Sequence, residues 1–188
     1  MLTTKADAQK NGAWDIYIGP RVGMVFNDFT KVDGKMETGI LLGLTSEVFF
    51  TSRTALGLGL NFTHQGCNDV TYRNTSDVDY DLDYVNTEFT YRYYPVDRFC
   101  VYAGFDLVRL VRSRYHTPKG KFSLKNHLHR GTVAFPVGFA ANYKNCEVNV
   151  AYRYQLTRLA RKRFADEALG SARNSAFTLS FIYKIQLF

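Results

Sequence analysis

Apolar and polar residues alternate with a period of two along most of the chain, most clearly between Tyr84 and Leu110. Val85, Thr87, Phe89, Tyr91 and Tyr93 occupy one phase there, and Asn86, Glu88, Thr90 and Arg92 the other. Past the turn Pro95-Val96-Asp97-Arg98, Val101, Ala103, Phe105 and Leu107 alternate with Tyr102, Gly104 and Asp106. This pattern predicts two strands, each with one apolar and one polar face. Each has about the 9–11 residues that a tilted strand needs to cross a bilayer. Pro95 is expected to stop the first strand, because it cannot donate to the ladder.

The rest of the chain repeats this hairpin. A first strand is predicted over 14–27, with Trp14, Ile16, Ile18, Val22, Met24 and Phe26 opposed to Asp15, Tyr17, Gly19, Arg21, Gly23 and Asn27. After the polar segment 28–36, a second over 37–50 sets Ile40, Leu42, Leu44 and Val48 against Gly39, Gly43, Thr45 and Glu47. The turn Thr51-Ser52-Arg53-Thr54 leads to a third over 55–65, with Leu56, Leu58, Leu60 and Phe62 against Gly57, Gly59, Asn61 and Thr63. A polar loop is expected over 66–81 before the central hairpin, and another over 112–131 after it. The sixth strand, over 132–143, carries Phe135, Val137, Phe139 and Ala141 on its apolar phase. Lys144-Asn145 turns into a seventh over 146–159, where Val148, Val150, Tyr152, Tyr154 and Leu156 face away from Asn149, Arg153, Gln155 and Thr157. A loop over 160–174 precedes the last strand, whose outward set is Phe177, Leu179, Phe181, Tyr183, Ile185 and Leu187.

The connections sort by parity. Those after the second, fourth and sixth strands are short, those after the third, fifth and seventh are long, and the one after the first is intermediate. Short turns at one end and long loops at the other are the habit of outer-membrane barrels. The fold predicted is therefore all-β: an eight-stranded antiparallel up-and-down transmembrane β-barrel over 14–188, after a flexible N-terminal segment over 1–13.

Composition agrees with one domain of 188 residues, rich in Tyr (13) and Phe (15) with a single Trp. No apolar run approaches the ~18 residues of a transmembrane helix, a test that barrels evade because half of each strand faces inward. The opening MLTTKADAQKNGAWD lacks the basic and apolar regions of a signal peptide, so the expectation is a bacterial outer-membrane chain whose signal has been removed. Cys67, Cys100 and Cys146 share no metal-ligand spacing. Cys100 and Cys146 sit near short turns at one end, where a disulfide is conceivable and two half-buried free thiols are preferred.

Alternation alone does not say which face looks outward. A soluble lipocalin-like barrel binding a small apolar ligand would put the apolar set inside. Glycine placement argues for the membrane alternative. Gly19, Gly23, Gly39, Gly43, Gly57, Gly59, Gly104 and Gly138 all fall on the polar phase, and an eight-stranded interior needs residues without bulk. The charges Arg21, Arg92 and Arg153 share that phase with Glu47, Glu88 and Asp106, three of each sign. They are predicted to form a paired network inside the barrel, since buried charges need partners.

At this point the sequence resembles a known group, the PorT-like small outer-membrane barrels common in Bacteroidetes. The resemblance rests on GILLGLTSEVFF (39–50), YVNTEFTYRYYP (84–95), VYAGFDLVRLV (101–111), VGFAANYKNCEVNVAYRYQLT (137–157) and FTLSFIYKIQLF (177–188). It implies an eight-stranded barrel in the outer membrane and carries no catalytic residue over. One departure concerns the C-terminus. Phe188 is the expected terminal aromatic, but Gln186 and Lys184 occupy positions that are usually apolar, so either the signal is imperfect or a bulge shifts the phase.

The net charge of +7 is concentrated in the predicted loops. Arg112, Arg114, Lys119, Lys121, Lys125 and Arg130 lie in one, and Arg161, Lys162 and Arg163 in the last, while Asp69, Asp77, Asp79, Asp81 and Asp83 gather before the central hairpin. Lipopolysaccharide phosphates or an acidic partner surface suit the basic patch, against the alternative of solvated loops. Nucleic acid does not, for want of an aromatic stacking surface. His127 and His129 share a face if extended, yet a third zinc ligand is not evident. A lipid-A-modifying enzyme is the catalytic alternative, but no His stands beside a Ser in alternating register. No catalytic, metal or cofactor site is assigned. The functional expectation is a non-enzymatic anchor or interaction protein, or an accessory subunit of a larger outer-membrane assembly, in contact with outer-membrane lipid and lipopolysaccharide.

Overall fold

The computed structural model describes residues 12–30, 37–72, 75–117, 120–123, 131–156 and 173–187; residues 27–30, 37, 65–72, 75–81, 113–117, 120–123 and 173–174 are described by their backbone alone. The strands are β1 Ile16–Thr30, β2 Glu37–Thr51, β3 Thr54–Tyr72, β4 Thr75–Val96, β5 Phe99–Thr117, β6 Gly120–Ser123, β7 Gly131–Tyr143, β8 Cys146–Gln155, β9 Arg173–Tyr183 and β10 Ile185–Gln186. Every pairing is antiparallel. β9 returns to β1, with Met24 opposite Leu179, and closes the ring. β6 stands off the ring as a partner of β5. The result is a closed eight-stranded up-and-down barrel.

β10 prolongs β9 rather than adding a stave. Arg21 pairs with Ile182, Ile18 with Ile185 and Tyr17 with Gln186, one continuous register across Lys184. The ladder is interrupted beside Pro20, which has no N–H to give. No bulge shifts the phase at the C-terminal end, and Tyr183, Ile185 and Leu187 all point outward.

The three short turns join β2 to β3, β4 to β5 and β7 to β8. Thr51 closes the first, its hydroxyl accepting the N–H groups of Arg53 at 3.2 Å and Thr54 at 3.1 Å. In the third, Lys144 takes φ 53°, a left-handed conformation suited to a tight hairpin. Pro95 does not stop β4, which runs to Val96 with a register slip between Tyr93 and Val96. Trp14 lies ahead of β1 rather than in it, at φ 73°, its N–H bonded to the Phe49 carbonyl at 2.7 Å.

The wall is uneven at the other end. β3, β4 and β5 have 19, 22 and 19 residues, against 13 and 10 in β7 and β8. Residues 66–81, predicted as a loop, belong to β3 and β4 apart from 73–74, and 112–117 and 120–123 of the other predicted loop are strands too. The physical reason lies in the pairing. Asp83 stands opposite Arg112, Asp81 opposite Arg114 and Asp79 opposite His116. The period-two signal is present, since Val78, Tyr80 and Leu82 alternate with Asp77, Asp79, Asp81 and Asp83, but the run of acids reads as a polar loop until β5 sets basic residues opposite them.

Inside and outside are reversed relative to a soluble barrel. Leu56, Leu58, Leu60 and Phe62 on β3 are 42–56 % exposed, and their counterparts on every stave form a belt around the wall. A soluble monomer seldom shows an apolar patch larger than a few hundred Å². The interior instead holds Arg21, Glu47, Asn61, Asn86, Glu88, Arg92, Asp106, Glu147, Asn149, Arg153, Thr178 and Ser180. Small apolar clusters accompany them. Tyr17, Phe49 and Tyr94 pack in series at the short-turn end, the first pair edge to face and the second tilted, with ring centroids 5.7 and 5.1 Å apart. Val25, Leu41 and Ala176 pack together in the other half.

Candidate functional site: the charged interior and the long-loop rim

Each interior charge sits on the inward phase of its stave, and β1, β2, β4, β5, β8 and the stave formed by β9 and β10 deliver them to two levels. At the first, Glu88 on β4 receives Arg21 Nη1 from β1 at 3.0 Å and Arg153 Nη2 from β8 at 2.7 Å. Arg21 also donates to Ser180 Oγ at 2.9 Å. Arg153 Nε lies 3.1 Å from Asp106 Oδ2, an ion pair off the hydrogen-bond line, so both Asp106 oxygens lack an aligned donor among the described residues.

The second level lies nearer the short turns. Arg92 on β4 reaches Glu147 Oε1 at 2.6 Å and Glu47 Oε1 at 3.4 Å. Lys184 Nζ, at the end of the last stave, meets Glu47 Oε2 at 2.7 Å and Glu147 Oε2 at 2.6 Å. Tyr94 donates its hydroxyl to Glu47 and accepts from Lys184 at 3.3 Å. Asn149 connects the levels: its Oδ1 accepts from Tyr102 Oη at 2.7 Å and Arg21 Nη2 at 3.4 Å, while its Nδ2 donates to Glu147 Oε1 at 3.3 Å.

All six charges predicted for the interior are therefore together and ion-paired. Two members escaped the sequence reading, Glu147 and Lys184. Glu147 shares the phase of Asn149 and Arg153, so the signal was present. Lys184 looked like a fault in the terminal pattern and is instead the cation between two carboxylates. With both included, four cations face four anions. Each ion has left water, and in so small a space only mutual pairing compensates its desolvation.

The glycines make the room. A Cβ on Gly138 would lie 2.5 Å from the Tyr102 ring, which lies over β7 at that glycine to reach Asn149 on β8. The remaining void between the two levels, lined by Arg21, Glu88, Arg92, Tyr102 and Asn149, measures about 10 Å³, room for roughly one water.

Cys100 is buried and Cys146 half-buried, both as free thiols. Cys100 lies on the inward phase 3.5 Å from Arg92 Nε, and Cys146 precedes the inward Glu147 on the outward phase. The barrel wall separates them, which removes the conceivable disulfide.

At the long-loop rim, Asp83 Oδ1 bonds His64 Nδ1 at 2.6 Å, and its Oδ2 lies 3.9 Å from Arg112 Nε. Of the predicted basic patch, Arg112 is exposed beside Asp83, Arg114 stands opposite Asp81, and Lys121 stands opposite His116 on β6. Lys119, Lys125, Arg130, Arg161, Lys162 and Arg163 lie outside the described residues, as do His127, His129 and the first 11 residues of the N-terminal segment.

A lipid-facing apolar wall around an ion-paired lumen defines a transmembrane β-barrel of the bacterial outer-membrane type. By sequence the chain matches no protein-family model and no curated protein. By structure it is similar to Ail, the attachment invasion locus protein of Yersinia pestis, solved with the heparin analogue sucrose octasulfate. The TM-score is 0.57 at 14% identity, over 91% of this chain and 99% of that one. Neisserial surface protein A gives 0.56 at 10% identity, over 90% and 97%. The outer membrane protein OprG of Pseudomonas aeruginosa gives 0.52 at 17%, over 95% and 99%. At these identities the likeness is one of fold.

Proposed function

We propose that the chain is a small integral outer-membrane protein that acts without catalysis, as an anchor or interaction protein, or as an accessory subunit of a larger assembly. The observation that carries this reading is the lumen. Among the described residues its charges are engaged with one another, and the void between the two charged levels has room for about one water, which favours a role that does not run through the lumen. That leaves the outer surfaces as the working ones. The tall β3–β6 wall with its facing acids and bases suits a partner surface, and the tyrosine-rich rhythm fits the PorT-like small barrels. Lipopolysaccharide contact belongs to this reading, because basic residues sit where the apolar belt ends. That Ail was solved with a polyanion lends an analogy of fold to it.

The test is a pull-down of the full chain from detergent-solubilised membranes. A partner at equal stoichiometry supports the subunit reading, and isolation with lipid alone supports the anchor. Turnover of a lipid-A substrate by the pure protein overturns the non-enzymatic assignment.

A further inference from the structure

We infer that the outer wall between β4, β5 and β7 holds one phosphate-bearing acylated glycolipid of the outer leaflet. Arg109 is its headgroup anchor and the groove beside it the acyl seat. This rests on the reading of the chain as an outer-membrane barrel in contact with lipopolysaccharide.

The groove has a volume of about 580 Å³ and is lined by Val85, Thr87, Leu107, Arg109, Gly131 and Val133, among others. Its outward apolar members, Val85, Leu107 and Val133, come from three adjacent staves, with Arg109 opposite Val85 on one side and Gly131 on the other. Gly131 leaves the depression open, since a Cβ there would have nothing within 4 Å.

Arg109 carries the argument. It falls on the outward phase of β5 directly after Leu107, where every preceding outward residue back to Phe99 is apolar. It is exposed and makes no ion pair among the described residues, whereas Arg112, three residues on, lies near Asp83. Charged residues that face lipid are destabilising except near an interface, and beyond Arg109 only Val111 continues the outward apolar set of β5 before Arg112, so this position lies close to the upper edge of the belt. A guanidinium offers a planar fork of donors that matches phosphate oxygens two at a time. A free fork at the membrane edge, above an apolar trough running down the wall, is complementary to a phosphate with acyl chains beneath it.

Native mass spectrometry of the full chain, refolded in detergent and titrated with bisphosphorylated hexa-acyl lipid A, tests the assignment. Wild type is expected to retain one lipid. Arg109→Leu, which keeps the wall apolar, and Gly131→Leu, which fills the trough and spares the charge, should each lower retention about tenfold. Arg109→Lys should restore part of it, and lipid A stripped of phosphate should not be retained. Both leucine variants face lipid, and a cold-versus-boiled gel shift verifies that they are folded. Folded variants that hold lipid A as wild type does overturn this site and leave the broader lipopolysaccharide reading standing. Wild type that retains no lipid A overturns both.

Discussion

Lys184 Nζ lies 2.7 Å from Glu47 Oε2, joining the end of the last stave to β2 through the interior of the barrel. The same ammonium reaches Glu147 at 2.6 Å, so one side chain holds two carboxylates that would otherwise share Arg92 as their cation. A residue that breaks the apolar terminal pattern is thereby a closing contact of the barrel.

Lys184→Met would improve that terminal pattern and should nevertheless destabilise. Removing one member of a buried ionic cluster strands the others, and a loss of about 3 kcal/mol is expected, at the lower end of the usual range because Arg92 remains. The fraction of folded, fast-migrating band along a urea series in lipid vesicles measures it. An unchanged midpoint would show that the lumen network does not support closure.

Glu88 and Asp106 should respond differently, although both are buried acids. Glu88→Leu deprives Arg21 and Arg153 of their shared partner and should cost about 3–5 kcal/mol. Asp106→Asn should cost about 1 kcal/mol, since Asp106 has one off-line ion pair and Arg153 keeps Glu88. Equal losses from the same denaturation series would contradict the assigned pairing.

Gly138→Val tests the fit of the lumen. The added Cβ would stand 2.5 Å from the Tyr102 ring and from the Val150 carbonyl, and at least the latter cannot move freely within the sheet. Overpacking of this kind costs about 1–3 kcal/mol. The prediction fails if the variant refolds with wild-type yield and midpoint.

Leu58→Arg reports which side faces lipid. Leu58 is 49% exposed on the outer wall within the belt. In a bilayer an arginine near mid-belt should cost about 2–4 kcal/mol, whereas on the outside of a soluble barrel the change would be nearly neutral. Comparing the variant in lipid vesicles with wild type decides between the two.

The sequence by itself determined the number of staves, their inward and outward phases, the three tight turns and six of the eight buried charges. A two-residue period ties the face of each residue to its position, so Arg21, Glu88 and Arg153 could be placed inside without coordinates. Local pattern could not reach what depends on closure. Lys184 falls on the inward phase between Tyr183 and Ile185, but its partners Glu47 and Glu147 are brought beside it only when β9 closes the ring between β8 and β1. The upper β3–β5 wall reads as polar loop because Asp77, Asp79, Asp81 and Asp83 outweigh the alternating Val78, Tyr80 and Leu82, and only the pairing of β4 with β5 sets Asp81 opposite Arg114 and Asp83 opposite Arg112. Arg109 likewise became distinct from Arg112 only once cross-strand packing gave one of them an aspartate and left the other free at the lipid edge. Phase is a local property of a strand, whereas pairing is decided by which strands the barrel places side by side.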